Sequence, residues 1–243
     1  MKRILARIFA AWALIIFVVT LIPVSILMWI IGIKKEPERT RIFRIISKVW
    51  MRIFFFTTGC RLTIIGLNNF KKGEKYIVTC NHNSLMDVPL STPFIPGANK
   101  TIAKSEMAKI PLFGIVYKRG SILVDRHDKN SRLNSFKKMK EVLSLGMHMC
   151  IYPEGTRNKT GLPLKEFYDG AFKLATETGI SILPALMFNT KKVLPPDETF
   201  FFWPSKMELH FLSPVAVTPS ENFEDVKEKI FEIMSEYYSL HKK

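Results

Sequence analysis

Cysteine is scarce in this chain of 243 residues: Cys60, Cys80 and Cys150 are the only three, and none forms a closely spaced pair. That excludes a disulfide scaffold, and it fits reduced thiols in a domain facing the cytoplasm. Acid is also in short supply, with 21 Asp and Glu against 36 Lys and Arg, a formal net charge of +15. Such an excess needs an anionic counterpart: nucleic acid, a membrane surface or a phosphorylated substrate. What is plentiful is apolar: 47% of the residues are hydrophobic, far too many for a disordered chain. The length suits one domain with an anchor better than two full domains.

No formal charge occurs between Ile8 and Ile33. The run exceeds the roughly 20 residues that span a bilayer, and it lacks the short core and small-residue cleavage site of a signal peptide. Lys2, Arg3 and Arg7 precede it and Lys34 and Lys35 follow it, so flanking charge does not orient it. Pro23 divides the run. A single transmembrane span is the expectation, with a re-entrant hairpin or a half-sunk helix left open. Next, Arg41, Arg44, Lys48 and Arg52 form a basic stripe at helical spacing, with Ile42, Ile45, Ile46, Val49, Trp50, Ile53 and Phe54 around it. This predicts an interfacial amphipathic helix over 41–56, its apolar face at the acyl boundary and its cations among anionic headgroups, the alternative being a core-packing helix with a solvated basic stripe. Residues 1–58 are thus expected to be a membrane anchor and 59–243 the functional domain.

After Gly59 the rhythm changes. Short β-branched runs at 61–67, 75–80, 100–104, 121–125, 147–152 and 181–187 read as strands. Segments near 87–94, 129–145 and 167–178 read as helices. Leu133, Phe136, Met139 or Lys140, and Leu143 mark the inner face of the second, and Gly146 and Gly179 mark helix ends. Late strands are expected at 207–212 and 215–217, and a C-terminal helix after Pro219-Ser220. Alternation of this kind predicts an α/β fold, a mixed sheet flanked by helices, preceded by N-terminal membrane-associated helices.

Three polar constellations follow predicted strands. In Asn81-His82-Asn83-Ser84-Leu85-Met86-Asp87, His82 and Asp87 can form a dyad. The carboxylate fixes the imidazole tautomer and leaves the other nitrogen to take a proton from a hydroxyl. The competing reading is a turn-capping His and a helix-capping Asp. No second His or Cys lies at metal-ligand spacing nearby, so no metal is expected. Gly120-Ser121-Ile122-Leu123-Val124-Asp125-Arg126 delivers Arg126 to a strand end, where α/β sheets bind ligands. Tyr152-Pro153-Glu154-Gly155-Thr156-Arg157 follows another strand; Gly155 permits a tight turn, and Arg157 can fork onto phosphate. It lacks the glycine spacing and Gly-Lys pair of a Walker loop.

Together with Ile182-Leu183-Pro184-Ala185, these blocks resemble the 1-acylglycerol-3-phosphate O-acyltransferase family of glycerolipid acyltransferases. The family's blocks read NHxSxxD, GxxFIDR and FPEGTRS, then an apolar stretch with Pro. Order and spacing match across about residues 60–190, and Ala103-Lys104-Ser105-Glu106-Met107, Pro111 and Gly114 match between the first two blocks. Leu123, Val124, Tyr152 and Asn158 depart mildly from the pattern.

The resemblance implies a glycerol-3-phosphate acyltransferase-like fold and direct transfer to the sn-2 hydroxyl of lysophosphatidic acid, giving phosphatidic acid. It implies His82 as base, Asp87 as its orienter, and Lys104, Arg126 and Arg157 on the acceptor phosphate. Glu154, Gly155 and Thr156 would shape that pocket, with turn amides as candidate oxyanion donors. Pro184 would line the acceptor or acyl site. The donor is acyl-CoA or acyl-ACP (acyl carrier protein), used as co-substrate, with no cofactor. Cys80 and Ser84 read as structural. The implied partners are membrane lipids, lysophosphatidic acid and the donor, with no nucleic acid. The expected location is a membrane, the inner or plasma membrane in a bacterium, with the domain facing the cytoplasm. A lyso-ornithine lipid or lysophospholipid acceptor is the nearest alternative; a non-catalytic basic membrane adaptor is a remote one.

Overall fold

A computed structural model describes residues 1–241. Seven strands form one sheet in the order β1-β7-β6-β2-β5-β3-β4. They are β1 Arg61–Ile65, β2 Ile77–Cys80, β3 Asn99–Lys104, β4 Ser121–Val124, β5 His148–Ile151, β6 Ile182–Phe188 and β7 Lys206–Phe211. The run β6-β2-β5-β3-β4 is parallel throughout, whereas β7 joins β6 antiparallel and carries β1 parallel to itself. The predicted mixed sheet is therefore present. Strands β2, β5 and β6 are buried at every residue, which is why their sequences are almost continuously apolar rather than alternating. The expected strand at 215–217 is reduced to a single bridge between Val215 and Ile182.

The helices are α1 Lys2–Ile30, α2 Glu38–Thr57, α3 Asp87–Ser91, α4 Phe113–Gly120, α5 Lys129–Ser144, α6 Gly170–Thr178, α7 Thr190–Val193 and α8 Phe223–His241. They cover the sheet on both faces. One apolar cluster joins Val78, Cys80, Cys150, Leu183 and Met187 of the sheet to Met28, Trp50, Phe54 and Phe55 of α1 and α2. The other joins Ile77, Met149, Ile182 and Leu186 to α5, α6 and α8. In α5 the inward residues are Met139, Val142 and Leu143. Leu133, expected inside, is exposed because it lies outside that arc.

Helix α1 is long and apolar enough to cross a membrane. Pro23 does not interrupt it. It pairs antiparallel with α2: Trp12 Nε1 donates to the Thr57 carbonyl at 2.9 Å and Trp50 Nε1 to Thr20 Oγ1 at 2.8 Å. Ala6, Ala10, Ala13, Leu21, Val24 and Met28 face the rest of the protein, small residues allowing close approach. Phe202 N–H donates to the Ala6 carbonyl, and Arg119 Nε to the Met28 carbonyl. The turn between α1 and α2 is pinned by Glu36, 2.7 Å from Lys100 Nζ of β3. Ile4, Ile8, Trp12, Ile15, Val19, Ile22, Ile26 and Trp29 form the opposite, exposed face. The stripe on α2 is split. Trp50 and Phe54 turn inward, as does Arg44, which donates to the Ile95 carbonyl. Ile45, Val49, Ile53, Arg41 and Arg52 remain outward. Arg44 thus departs from the expected headgroup-facing set.

Candidate active site

Parallel strands end on the same edge, and the polar blocks collect there. His82 follows β2, Arg126 follows β4, and Tyr152 to Arg157 follow β5. Asp87 opens α3, and the turn before it, closed by the Asp87 N–H donating to the Ser84 carbonyl at 3.3 Å, brings the carboxyl back to the strand end. His82 Nδ1 lies 2.9 Å from Asp87 Oδ2. The same oxygen accepts the Asn83 N–H at 2.5 Å and the Ser84 N–H at 2.7 Å. Asp87 is fully buried and the His82 side chain is 19% exposed, so the carboxyl is fixed while the ring reaches solvent. Because Oδ2 accepts, Nδ1 carries the proton and Nε2 is left with a lone pair.

Glu154 is fully buried. Its Oε1 accepts the His82 backbone N–H at 2.7 Å and its Oε2 accepts the Lys165 N–H at 2.9 Å. Burial raises its pKa to about 6, against the two N–H donors that pull it down. Asn158 N–H donates to the His82 carbonyl at 2.6 Å. The loop after β5 therefore clamps both sides of the His82 backbone, and Glu154 acts through His82 rather than lining the pocket. Gly155 holds a positive φ of 67°, and a side chain there would meet the Tyr168 ring. Arg126 Nη1 donates to the Gly155 carbonyl, tying the β4 loop to this turn. Thr156 Oγ1 accepts from Lys165 Nζ at 2.9 Å.

The cations differ in placement. Arg157 is half-buried and takes part in no ion pair among the described residues. Lys104 ends β3 beside β4, half-exposed, with Nζ 3.3 Å from Glu106 Oε2. Pro184 is not brought to the site. It is buried inside β6 opposite Thr79, three positions before His82, or about 10 Å along the strand. Its missing N–H falls where β7 stops pairing with β6, and its carbonyl accepts from Leu212 N–H at 2.8 Å.

Sequence reasoning passed over three residues as site elements. Tyr152 packs its ring 4.7 Å from the His82 ring and shares a 2.6 Å hydrogen bond with Ser91 of α3. Burial pushes the Tyr152 hydroxyl well above its ordinary pKa, so it stays protonated. Asn81 pairs through its side chain with both the N–H and the carbonyl of Met187, holding the strand end against β6. No periodicity signals these contacts, which depend on strand adjacency. The three cysteines are free and buried, and Ser84 Oγ is engaged by the Leu194 carbonyl.

The sequence profile of the Acyltransferase family matches residues 61–187. A 1-acyl-sn-glycerol-3-phosphate acyltransferase of Helicobacter pylori is 32% identical over 192 residues, covering 77% of this chain and 79% of that protein. One of Borreliella burgdorferi is 32% identical over 157 residues, 62% of this chain and 60% of its own length. The crystal structure of the 1-acyl-sn-glycerophosphate acyltransferase PlsC from Thermotoga maritima superposes with a TM-score of 0.83 at 22% identity, covering 98% of this chain and 97% of that one, and so shares its fold. With its ordered blocks and its His82–Asp87 pair at the sheet edge, this chain belongs to the acyltransferase family and groups with the 1-acyl-sn-glycerol-3-phosphate acyltransferases.

Proposed function

We propose that the enzyme transfers an acyl group from an acyl thioester, acyl-CoA or acyl-ACP, to the sn-2 hydroxyl of 1-acyl-sn-glycerol-3-phosphate, giving phosphatidic acid. The observation that carries this is the His82–Asp87 contact of 2.9 Å at the open edge of a parallel sheet. Nε2 takes the hydroxyl proton as the oxygen attacks the thioester carbonyl. The tetrahedral intermediate collapses, the C–S bond breaks, and the imidazolium returns the proton to the departing thiolate. Asp87 holds the ring in the tautomer this requires and stabilises the imidazolium. General-base help of this kind is worth roughly 10²–10⁴ in rate. No cofactor takes part in this direct transfer.

Arg157, half-buried and unpaired among the described residues, and Arg126 are assigned to the acceptor phosphate, each charge-assisted contact contributing about 1.5–3 kcal/mol. Lys104, already beside Glu106, is assigned a supporting part. Gly155 and Thr156 shape the turn beside this pocket.

A lipid acceptor and product accord with the membrane association of the chain. Since α1 packs on the protein from Ala6 to Met28, its exposed apolar face lies along the domain. This favours a helix lying in one leaflet over one crossing the bilayer, because a crossing would draw the polar domain in with it. The donors are water-soluble, which puts the active-site edge on the cytoplasmic side.

The test is acyl transfer by His82→Ala and Asp87→Ala. Each is expected to lose at least about a hundredfold in kcat while still binding vesicles. Full activity in either would sink the dyad. Arg157→Ala is expected to raise KM for lysophosphatidate far more than for the donor; equal effects would argue against a phosphate clamp.

A further inference from the structure

On the other side of His82 from the arginines, a shallow open cleft with a cavity volume of ≈ 130 Å³ runs between the end of β6, the start of β7 and the end of α8. Asn83, Thr190, Lys191, Lys192, Phe188 and Tyr238 are among its lining residues. Two of these lack a partner where one is needed. Among the described residues, Asn83 Oδ1 and Thr190 Oγ1 are buried without a hydrogen bond, in residues only 3% and 1% exposed. Buried polar atoms are nearly always satisfied, so two orphans in one cleft point to a ligand. The Asn83 backbone already serves Asp87, which places its side chain one residue from the catalytic ring.

The wall between them is aromatic, Phe188 stacked on Tyr238 at 5.1 Å. Neither Lys191 nor Lys192 forms an ion pair among the described residues. Glu208, also in the lining, is paired with Lys206 at 2.9 Å, which offsets its charge. An amide and a hydroxyl beside an apolar wall suit a flexible polyamide chain, and the lysines suit a phosphate beyond it.

We infer that this cleft binds the 4′-phosphopantetheine arm of the acyl donor. The thioester would lie at His82, the arm's amides at Asn83 and Thr190, and its phosphate at Lys191 and Lys192. The arm is common to acyl-CoA and acyl-ACP. The inference rests on the thioester donor proposed above. It adds a direction of approach: β6 and β7 lie on one side of β2, and β5, β3 and β4 on the other. The donor's anion therefore enters opposite the acceptor's anion, and the two do not compete for the same cations.

The test is calorimetric binding of non-hydrolysable thioether analogues to the full chain in detergent. The analogues are those of acyl-CoA, acyl-phosphopantetheine and acyl-pantetheine without phosphate. Asn83→Ala and Thr190→Val should each weaken all three by about fivefold to tenfold, the size of one lost hydrogen bond. The double variant Lys191→Glu/Lys192→Glu should weaken the two phosphate-bearing analogues by about tenfold and leave acyl-pantetheine within about twofold. Wild-type affinity in all the variants, no binding by the wild type, or equal losses toward lysophosphatidate would overturn the assignment. A wild type that binds the analogues through these residues yet acylates no lysophosphatidate would refute the acceptor proposed above and leave the cleft assignment standing.

Discussion

Glu154 sets one carboxylate against two backbone N–H groups, from His82 and Lys165. Glu154→Gln keeps the shape but turns one acceptor into a donor facing an N–H. The expected cost is about 1–3 kcal/mol of stability, with kcat falling more than KM rises, measured by denaturation and steady-state kinetics. A variant with wild-type kcat would remove Glu154 from the positioning of His82. Two buried groups also shape the pH dependence of stability, with opposite signs. Burial raises Glu154 to about 6 from 4.5. Its contribution is whole below 4.5 and is lost as pH rises through 6, about 2 kcal/mol. Burial lowers His148 to about 4 from 6.5, and its Nδ1 accepts the Tyr76 N–H at 2.9 Å. Its contribution is whole above 6.5 and is lost as pH falls toward 4, about 3 kcal/mol. His148→Asn retains an acceptor for Tyr76 but does not titrate. Its denaturation midpoint should fall less than the wild type's between pH 6.5 and 4.5; an equal fall would exclude His148 as the titrating group. At this scale the His82–Asp87 pair was readable, because the two lie only five positions apart, within reach of one local turn. The Glu154–His82 contact was not, because 72 positions separate the two and only the β2–β5 neighbourhood joins them.

Helix α1 has two faces with different work. Met28 is fully buried against the sheet cluster, whereas Ile8, Ile15, Val19 and Ile22 are exposed. Met28→Ala should cost about 2–5 kcal/mol of stability and leave vesicle binding intact in the folded fraction. Replacing the four exposed residues by Ser should do the reverse, releasing the protein from vesicles with little change in denaturation midpoint. A quadruple variant that still sediments with vesicles would contradict the in-plane reading of this helix. The apolar run announced the helix, but hydropathy does not tell a lipid-facing residue from a domain-facing one. Helix α4 went unread altogether, since its eight residues are too few for a period to show. The α2 stripe was read with the right residues and with Arg44 on the wrong side, because packing against Ile95 rather than charge decides its direction.

At the scale of the molecule, the boundary at 59 separates segments of sequence but not of core. Trp50, Phe54 and Phe55 share a cluster with Val78, Cys80 and Leu183. Each such buried side chain is worth about 1.5–3 kcal/mol, so removing residues 1–58 should yield aggregated protein rather than a soluble enzyme. A monomeric, active truncation on gel filtration would show that the catalytic unit stands alone. The sequence by itself determined the α/β class, the apolar N-terminal helix, the His–Asp pair and the order of the blocks. These are written in local spacing and in the polarity of consecutive residues. Only the tertiary structure decided which strands are neighbours, and so which blocks meet. It turned Glu154 into a clamp on His82, withdrew Pro184 into the sheet, and opened a cleft beside Asn83. Strand order costs nothing in local propensity: it is chosen by how two apolar faces of one sheet are covered, and no window of sequence contains both.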